Sequence, residues 1–290
     1  MDVLCIGDVM LDVHARSGEL ALGGDVHGRV RVRPGGTSAN AAVWAGAAGA
    51  EAGVIAAVGD DMAGGMLTAA LEQRGIDTAG VVRRPSSTGV MLVLSEHGDR
   101  SMVADRGANA ELRPADLPVT LDAGAVLVSG YLLLQEPGRE VALAAIERAA
   151  TPWLAVEAAS WPLVEQAGPD RFFADTFAAT VIFANESEAE ALVGVRGPGA
   201  AAKLGARYRI AAVKRGASGA VLSVDGEVIE VAGDVIDEVD PTGAGDAFDG
   251  VLLAALAAGD DPFVALGRAC HAGAQVAASA DAWPELGATV

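Results

Sequence analysis

A turn of small residues between two aspartates, followed by a long apolar run, constrains the fold of this chain more than any other stretch. The turn spans residues 240–246, with the sequence DPTGAGD, and the apolar run spans residues 251–258. The run contains no proline or charged residue, and Gly259 and Pro262 follow it, which predicts a buried helix that ends at the glycine. The turn therefore lies at the N-terminus of that helix.

The N-terminus of a helix favours anions, because its first N–H groups lack helical partners and carry the positive end of the dipole. Here those groups belong to Gly243, Ala244 and Gly245. Asp246 would repel a bound phosphate, but it suits a base that takes a proton from the group attacking the phosphate. An aspartate in the first helical turn is also typical of an ordinary cap or dipole partner. These residues alone leave both interpretations open.

The composition supports a large core and argues against polyanionic partners. Hydrophobic residues make up 51% of the 290 residues, and the net charge is −19. This charge argues against nucleic acid and anionic membrane as partners. The chain lacks a basic signal-peptide start and any apolar stretch of about 20 residues, and its cysteines, Cys5 and Cys270, stand among apolar neighbours. We therefore expect a cytoplasmic protein.

Short apolar segments predict strands of a buried parallel sheet, alternating with helices. These segments are residues 3–6, 125–130, 153–157, 181–184 and 210–214. Two other regions, at about 13–34 and 81–104, show alternating or turn-rich patterns that are typical of antiparallel strands, with a turn at 96–100. The sequence therefore predicts one α/β domain over residues 1–290, with a small lid formed by those two regions.

The turn at 240–246, extended to Gly250, resembles the C-terminal signature of the PfkB carbohydrate kinases, the ribokinase-like family. Its departure is Pro241-Thr242, where many members have a hydroxyl residue and then a small one. Further motifs follow the family in the same order along the chain: Gly35-Gly36 with Asn40, Asn185 with Glu188, and Gly216 with Gly219. The resemblance implies a three-layer αβα sandwich with a mostly parallel central sheet and a small antiparallel β lid. It also implies ATP-dependent phosphorylation of a sugar hydroxyl, with Asp246 as the base and the 243–245 backbone as the anion hole.

The resemblance also implies a set of substrate contacts. By the match to the family, Asp12, Gly35, Gly36 and Asn40 hold the sugar. Arg106 precedes a Gly-Ala-Asn that family members share, and its charge suits a carboxylate or phosphate on the substrate. A surface arginine explains the same residue equally well. In the family the lid often forms the dimer contact, so the resemblance implies a homodimer through the lid.

Nucleotide and metal contacts come from the second half of the chain. By resemblance, Asn185 and Glu188 organise Mg²⁺ near the triphosphate, with Glu188 acting through water. The resemblance also implies that Lys214, Gly216 and Gly219 lie beside the ATP phosphates, with a plain β-hairpin as the alternative. The resemblance further implies that His271 lines the adenine pocket, although a packed histidine is the alternative, and that Asp240 and Thr242 match a site for a monovalent cation such as K⁺. Glu157 stands where related kinases usually have Asp, and no role is assigned to it.

Other functions are weaker matches to the sequence. No GxxxxGK[S/T] segment is present, which excludes a P-loop kinase, and Gly243-x-Gly245 lacks the third glycine of a dinucleotide-binding turn. A nucleoside kinase of the same fold remains an alternative, which stacking aromatic residues from the lid would favour; the lid stretches contain none. A non-catalytic sugar-binding protein is the alternative from another class.

Overall fold

A nine-stranded sheet forms the centre of the protein. The computed structural model describes residues 1–17, 23–96 and 99–290. The described strands are, in chain order, β1 (Val3–Ile6), β2 (Met10–Ser17), β3 (Gly28–Gly35), β4 (Ala52–Gly59), β5 (Asp77–Arg84), β6 (Val90–Glu96), β7 (Asp99–Asp105), β8 (Leu121–Asp122), β9 (Ala125–Val128), β10 (Ala149–Ala150), β11 (Trp153–Glu157), β12 (Val181–Asn185), β13 (Ile210–Lys214), β14 (Ala220–Val224) and β15 (Glu227–Val231). The large sheet has the order β15-β14-β13-β12-β11-β9-β1-β4-β5.

From β13 to β5 the pairings in this sheet are all parallel, and β14 and β15 extend it as antiparallel strands. The described helices are α1 (Thr37–Ala47), α2 (Met62–Glu72), α3 (Gly130–Leu134), α4 (Gly138–Arg148), α5 (Trp161–Ala167), α6 (Pro169–Asp175), α7 (Glu186–Val193), α8 (Gly197–Gly205), α9 (Ala244–Ala258) and α10 (Pro262–Ala277). The predicted α/β fold with a mostly parallel central sheet is confirmed.

The two faces of the sheet carry two separate hydrophobic clusters because successive side chains of a strand point to opposite faces. In β1, Val3 and Cys5 join the cluster under α1, α2, α9 and α10. Leu4 and Ile6 join the other cluster, under α3 to α8. Both faces are covered by helices, which explains why the strands are continuous apolar runs rather than alternating ones.

A second sheet of four strands, in the order β3-β2-β6-β7, forms the lid. Its outer pairs are antiparallel, whereas β2 and β6 run parallel. Residues 81–84, which the sequence analysis placed in the lid, belong instead to β5 of the large sheet, where they pair with β4. Residues 18–22, and His97 and Gly98 of the predicted turn, lie outside the described residues.

The helix predicted after the turn at 240–246 is α9, and its ends follow the sequence signals. Gly243, in a left-handed conformation with φ 85°, caps its N-terminus, and Gly259, with φ 80°, caps its C-terminus. The next helix starts at once because the Asp261 side chain accepts from Phe263 N and Pro262 occupies the first position. Because α9 packs against both α1 and α10, its N-terminus is held in place beside the carboxyl ends of the parallel strands.

Candidate active site

One large cavity lies between the lid and the carboxyl ends of the parallel strands, where ligands of open α/β sheets bind. Its volume is about 890 Å³. It brings together most of the residues that the sequence analysis singled out: Asp12, Gly36, Asn40, Arg106, Asn185, Glu188, Lys214, Gly216, Gly219, Thr242, Gly243, Ala244, Gly245 and Asp246. Residues separated by more than 200 positions in the chain therefore share one site.

The turn before α9 points the N-terminus of that helix into the cavity. Gly243 is needed there for its left-handed backbone, and a Cβ at this position would lie 2.8 Å from the Ala282 side chain. The Ala244 N–H already donates to the Pro241 carbonyl at 3.1 Å. The anion hole predicted from three amides is therefore reduced at Ala244, and the other N–H groups of the first turn are the candidates to meet an anion.

Asp246, in the first turn of α9, accepts a hydrogen bond from Asn40 Nδ2 at 2.7 Å. Burial raises the pKa of Asp246 to about 7; the Asn40 bond opposes this rise and the charge of Asp249 adds to it. A carboxyl group with such a pKa is half ionised near neutrality. It can therefore both accept and release a proton at physiological pH, as a general base must.

Trp283 determines how the Asn40 amide is oriented, and the sequence analysis missed it. Trp283 Nε1 donates to Asn40 Oδ1 at 2.7 Å. Because an indole N–H can only donate, the amide oxygen must face Trp283, and the amide nitrogen must then face Asp246. Trp44 Nε1 donates to the Ala282 carbonyl at 2.8 Å and anchors the segment that carries Trp283.

At the lid side of the cavity, burial raises the pKa of Asp12 to about 6. Gly35 lies beside Asp12, and any side chain at position 35 would overlap its carboxylate. Gly36, with φ 97°, caps α1, and a Cβ there would overlap the carbonyl of Asp8. The glycine pair thus lets β3 turn into α1 closely enough to place Asn40 and Asp12 on the same cavity.

Arg106 forms a two-pronged ion pair with Asp8, another residue that the sequence analysis did not assign. Arg106 NH2 and Nε lie 2.6 and 3.2 Å from the two Asp8 oxygens, and NH1 lies 3.4 Å from Gln135 Oε1. Asp8 is 3% exposed and lines the cavity. The charge of Arg106 is therefore balanced within the protein.

The opposite end of the cavity carries one cation among several carboxyl groups. Lys214 Nζ lies 2.7 Å from Asp249 Oδ2. Burial opposes the charged form of Lys214, but the charges of Asp249 first, and then of Glu157 and Glu188, raise its pKa. Burial raises the pKa of Glu188 to about 7. Asn185 and Glu188 cap α7 reciprocally: Asn185 Oδ1 accepts from Glu188 N at 2.9 Å, and Asn185 N donates to the Glu188 carboxylate at 2.8 Å. Asn185 Nδ2 donates to the same carboxylate at 2.6 Å.

Comparison with known proteins identifies the family. The model of the pfkB family of carbohydrate kinases matches residues 1–284. The chain belongs to the PfkB carbohydrate kinase family. A fructokinase from Klebsiella pneumoniae is 30% identical over 248 residues, which cover 81% of this chain and 80% of that protein. The aminoimidazole riboside kinase of Salmonella typhimurium is 29% identical over 238 residues, 76% of this chain and 72% of the relative. The protein is thus a kinase of sugars or nucleosides.

Solved structures share the fold of this PfkB protein. An E. coli protein described as a ribokinase II, in complex with ATP and Mg²⁺, superposes with a TM-score of 0.86, covering 97% of this chain and 94% of that one. Its sequence identity is 22%, so it is informative about the fold alone.

Three residues assigned by resemblance to the PfkB family do not line the large cavity. His271 is exposed, its ring hydrogen-bonded to Asp234 at 2.6 Å and to Gln275 at 3.0 Å. The cavity is lined from α10 by the neighbouring helical face, Cys270, Gly273, Ala274 and Ala277. His271 is one position out of phase with that face, so it does not line the cavity, and its role in an adenine pocket stays a prediction. Gly35 packs against the Asp12 carboxylate, and Asp12 rather than Gly35 lines the cavity.

The third is Asp240, which lies at a second cavity of about 10 Å³ beside the turn. Asp240 Oδ2 lies 3.3 Å from His14 Nδ1, and Oδ1 accepts from Thr242 N at 3.1 Å. Thr242 also lines this small cavity, and its Oγ1 is buried without a hydrogen-bond partner. The turn therefore brings the Asp240 carboxylate and Thr242 to the same small cavity.

Glu157 was a departure from the family pattern without an assigned role, and it proves to be part of the site. It is 6% exposed, ends β11 and lines the cavity. Burial raises the pKa of Glu157 well above its ordinary value, and the charges of Asp246 and Asp249 raise it further. Its Oε2 atom has no hydrogen-bond partner. The only signal in the sequence was an acidic residue at the end of a buried strand.

Across residues 1–17, 23–96 and 99–290, no group of three or more His, Cys, Asp or Glu side chains is arranged to hold a metal ion. Within those same ranges, every helix is too short or too polar to cross a bilayer.

Proposed function

We propose that this protein transfers the γ-phosphoryl group of ATP to a hydroxyl group of a small, uncharged sugar. The observation that carries the proposal is the arrangement of Asp246: a half-buried carboxyl group with a pKa of about 7, held by Asn40, in the first turn of a helix that faces a large cavity. A proton acceptor beside a helix N-terminus suits an alcohol that attacks a phosphate.

In this mechanism the sugar lies at the lid side, where Asp12 and the free N–H of the Asn40 amide bind its hydroxyl groups. Asp246 accepts the proton of the reacting hydroxyl. The amides of residues 243, 245 and 246 and the Lys214 ammonium face the negative charge of the transferred group. The lid strands cover the sugar and exclude water, which would otherwise compete as the acceptor.

The residues at the other end of the cavity fit ATP with Mg²⁺. Gly216 and Gly219 lie in the turn between β13 and β14 and line the cavity, so the backbone there can approach phosphates. Both Glu188 oxygens are engaged by Asn185, which suits a carboxylate that holds Mg²⁺ through its waters. When bound, Mg²⁺ would neutralise phosphate charge among these carboxyl groups. Because ATP is the phosphoryl donor, we also propose a cytoplasmic location.

Two observations favour a small neutral sugar as the substrate. Arg106 is neutralised by Asp8, and Asp12 and Asp246 add negative charge, so an anionic substrate is disfavoured. Among the described lid residues, Met91, Val93, Met102 and Ala104 line the cavity, and none of these carries an aromatic ring on which a base would stack. Nucleosides are therefore the weaker class of substrate.

A substrate screen tests this proposal. Thermal shift with a non-hydrolysable ATP analogue and Mg²⁺ would be measured across neutral sugars, sugar acids, sugar phosphates and nucleosides, followed by a coupled kinase assay. We expect stabilisation and turnover with neutral sugars. Turnover confined to nucleosides or to anionic sugars would overturn the substrate class, and binding without turnover of any compound would overturn the kinase assignment.

We also propose a homodimer formed through the outer face of the lid. The strand registers place Val13, Val32, Leu92 and Val103 on the face opposite to the cavity, and Val32 and Val103 are 54% and 60% exposed. A second copy would bury this apolar face. Sedimentation analysis of Val32→Asp tests this: a monomeric variant of a dimeric wild type supports it, and a wild type that is monomeric overturns it.

The small cavity supports a site for a monovalent cation. We propose Asp240 and Thr242 Oγ1 as its ligands, since the oxygen of Thr242 is buried without a partner. Kinase activity in potassium would then exceed activity in tetramethylammonium. Equal activity in both would overturn this site and leave the His14 side chain as the partner of Asp240.

A further inference from the structure

Asp249 is a buried acid that the proposed reaction leaves without a role. It lies on α9 three residues after Asp246, so the two side chains project from the same side of the helix. Its side chain is 1% exposed, and both of its oxygens accept from Lys214 Nζ, at 2.9 and 2.7 Å. The pair joins α9 to the end of β13.

This pair holds the Lys214 ammonium against the turn that precedes α9. Nζ lies 3.4 Å from the Gly245 carbonyl oxygen, and it would lie 3.2 Å from a Cβ at position 245. Glycine at 245 therefore leaves the space that the ammonium occupies. Lys214 lines the large cavity, so a ligand bound there would lie beside this lysine.

Without Asp249 the ammonium would have other partners. Glu157 and Glu188 both line the cavity and both raise the pKa of Lys214, so they attract the same ammonium group. A lysine stem is flexible, and its charge follows the best partner. The two hydrogen bonds that Asp249 accepts therefore keep the Lys214 ammonium at the turn before α9, and away from Glu157 and Glu188.

Stability does not explain the pair. A buried ion pair generally contributes no more to folding than an apolar pair of the same volume. We propose that Asp249 is a positioning residue, which holds Lys214 at residues 243–246 for the terminal phosphate of the nucleotide. This inference rests on the proposed function, because it concerns the part of the proposed active site that binds the terminal phosphate of ATP.

Calorimetric titration of four proteins tests the proposal: wild type, Asp249→Asn, Lys214→Met and the double variant. Each is titrated with a non-hydrolysable ATP analogue and, as the control, with AMP. We expect each single variant to lose about tenfold in affinity for the analogue, the scale of one charge-assisted bond, with AMP unchanged. Because Asp249 acts through Lys214, the double variant should match Lys214→Met alone.

Wild-type affinity for the analogue in Asp249→Asn would overturn the proposal, as would losses that multiply in the double variant or an equal loss for AMP. If Asp249→Asn does not fold, Lys214→Met is compared with Lys214→Met/Asp249→Leu, an apolar pair; lower affinity in the second protein overturns the proposal. These titrations contain no sugar. A wild type that binds the analogue but phosphorylates no sugar would contradict the proposed function while leaving this comparison intact.

Discussion

The amide nitrogen of Asn40 donates to Asp246 at 2.7 Å, joining α1 to the first turn of α9. The other end of the same amide accepts from Trp283 Nε1, at 2.7 Å. Three residues from the beginning and the end of the chain thus form one chain of hydrogen bonds that ends at the proposed base. The orientation of the Asp246 carboxylate is determined by this chain and by the helix that carries it.

Replacing Trp283 should therefore impair turnover without any contact to substrate. Trp283→Phe keeps most of the packing but removes the indole donor, so the Asn40 amide can rotate away from Asp246. We expect kcat to fall about tenfold, the effect of one positioning hydrogen bond, with little change in KM for ATP. Steady-state kinetics measure this, with Trp153→Phe, at the remote start of β11, as the control. A wild-type kcat in Trp283→Phe would exclude the positioning role.

Asp8 should control the preference of the site for uncharged substrates. Asp8→Asn removes the carboxylate that neutralises Arg106. The freed guanidinium should then favour sugar acids or sugar phosphates, raising the ratio of their kcat/KM to that of a neutral sugar by about tenfold. Competition assays with the two substrate classes measure this ratio. An unchanged ratio would mean that Arg106 does not face the substrate.

The rate of phosphorylation should rise with pH. Burial raises the pKa of Asp246 to about 7, and only its ionised form accepts a proton. We expect kcat/KM for the sugar to increase between pH 6 and 8 with a midpoint at about 7. A profile that is flat across this range, measured with saturating ATP and Mg²⁺, would be inconsistent with Asp246 as the base.

The free energy of unfolding should change with pH in the opposite direction. In the folded protein, burial raises the pKa of Asp12 to about 6 and those of Glu188 and Asp246 to about 7. An unfolded chain loses these protons near pH 4, so between pH 4 and 7 the folded state binds more protons. Raising the pH through this window therefore lowers stability. Denaturant titrations should give a higher midpoint at pH 5.5 than at pH 8, with a smaller difference in Asp246→Asn. An equal difference in that variant would contradict the raised pKa.

Local sequence patterns predicted much of the fold. The apolar segments that end in glycine or a polar residue became parallel strands, as at Val3–Ile6 and Ile210–Lys214, because burial on both faces demands such runs. The family motifs also brought Asp12, Asn40 and Asp246 to one cavity. Their positions follow from strand ends and helix starts, which short motifs encode.

The partners of buried polar groups could not be predicted in this way. Trp283 and Asn40 are 243 residues apart, and Lys214 and Asp249 are 35 apart, so no local pattern connects them. His271 shows a further limit: its helix was predicted, but the residues of that helix that line the cavity start one position earlier, at Cys270. Packing of whole elements, rather than local propensity, decides these contacts.

The most direct test of the account is the turnover of Asp246→Asn. The amide preserves the shape of the side chain but cannot accept the hydroxyl proton, so we predict at least about 10²-fold lower kcat, with folding and ATP affinity retained. Asp170→Asn, an exposed aspartate in the first turn of α6, is the control and should keep wild-type kcat. A kcat for Asp246→Asn within a few fold of wild type, measured on the same sugar, would contradict the central claim.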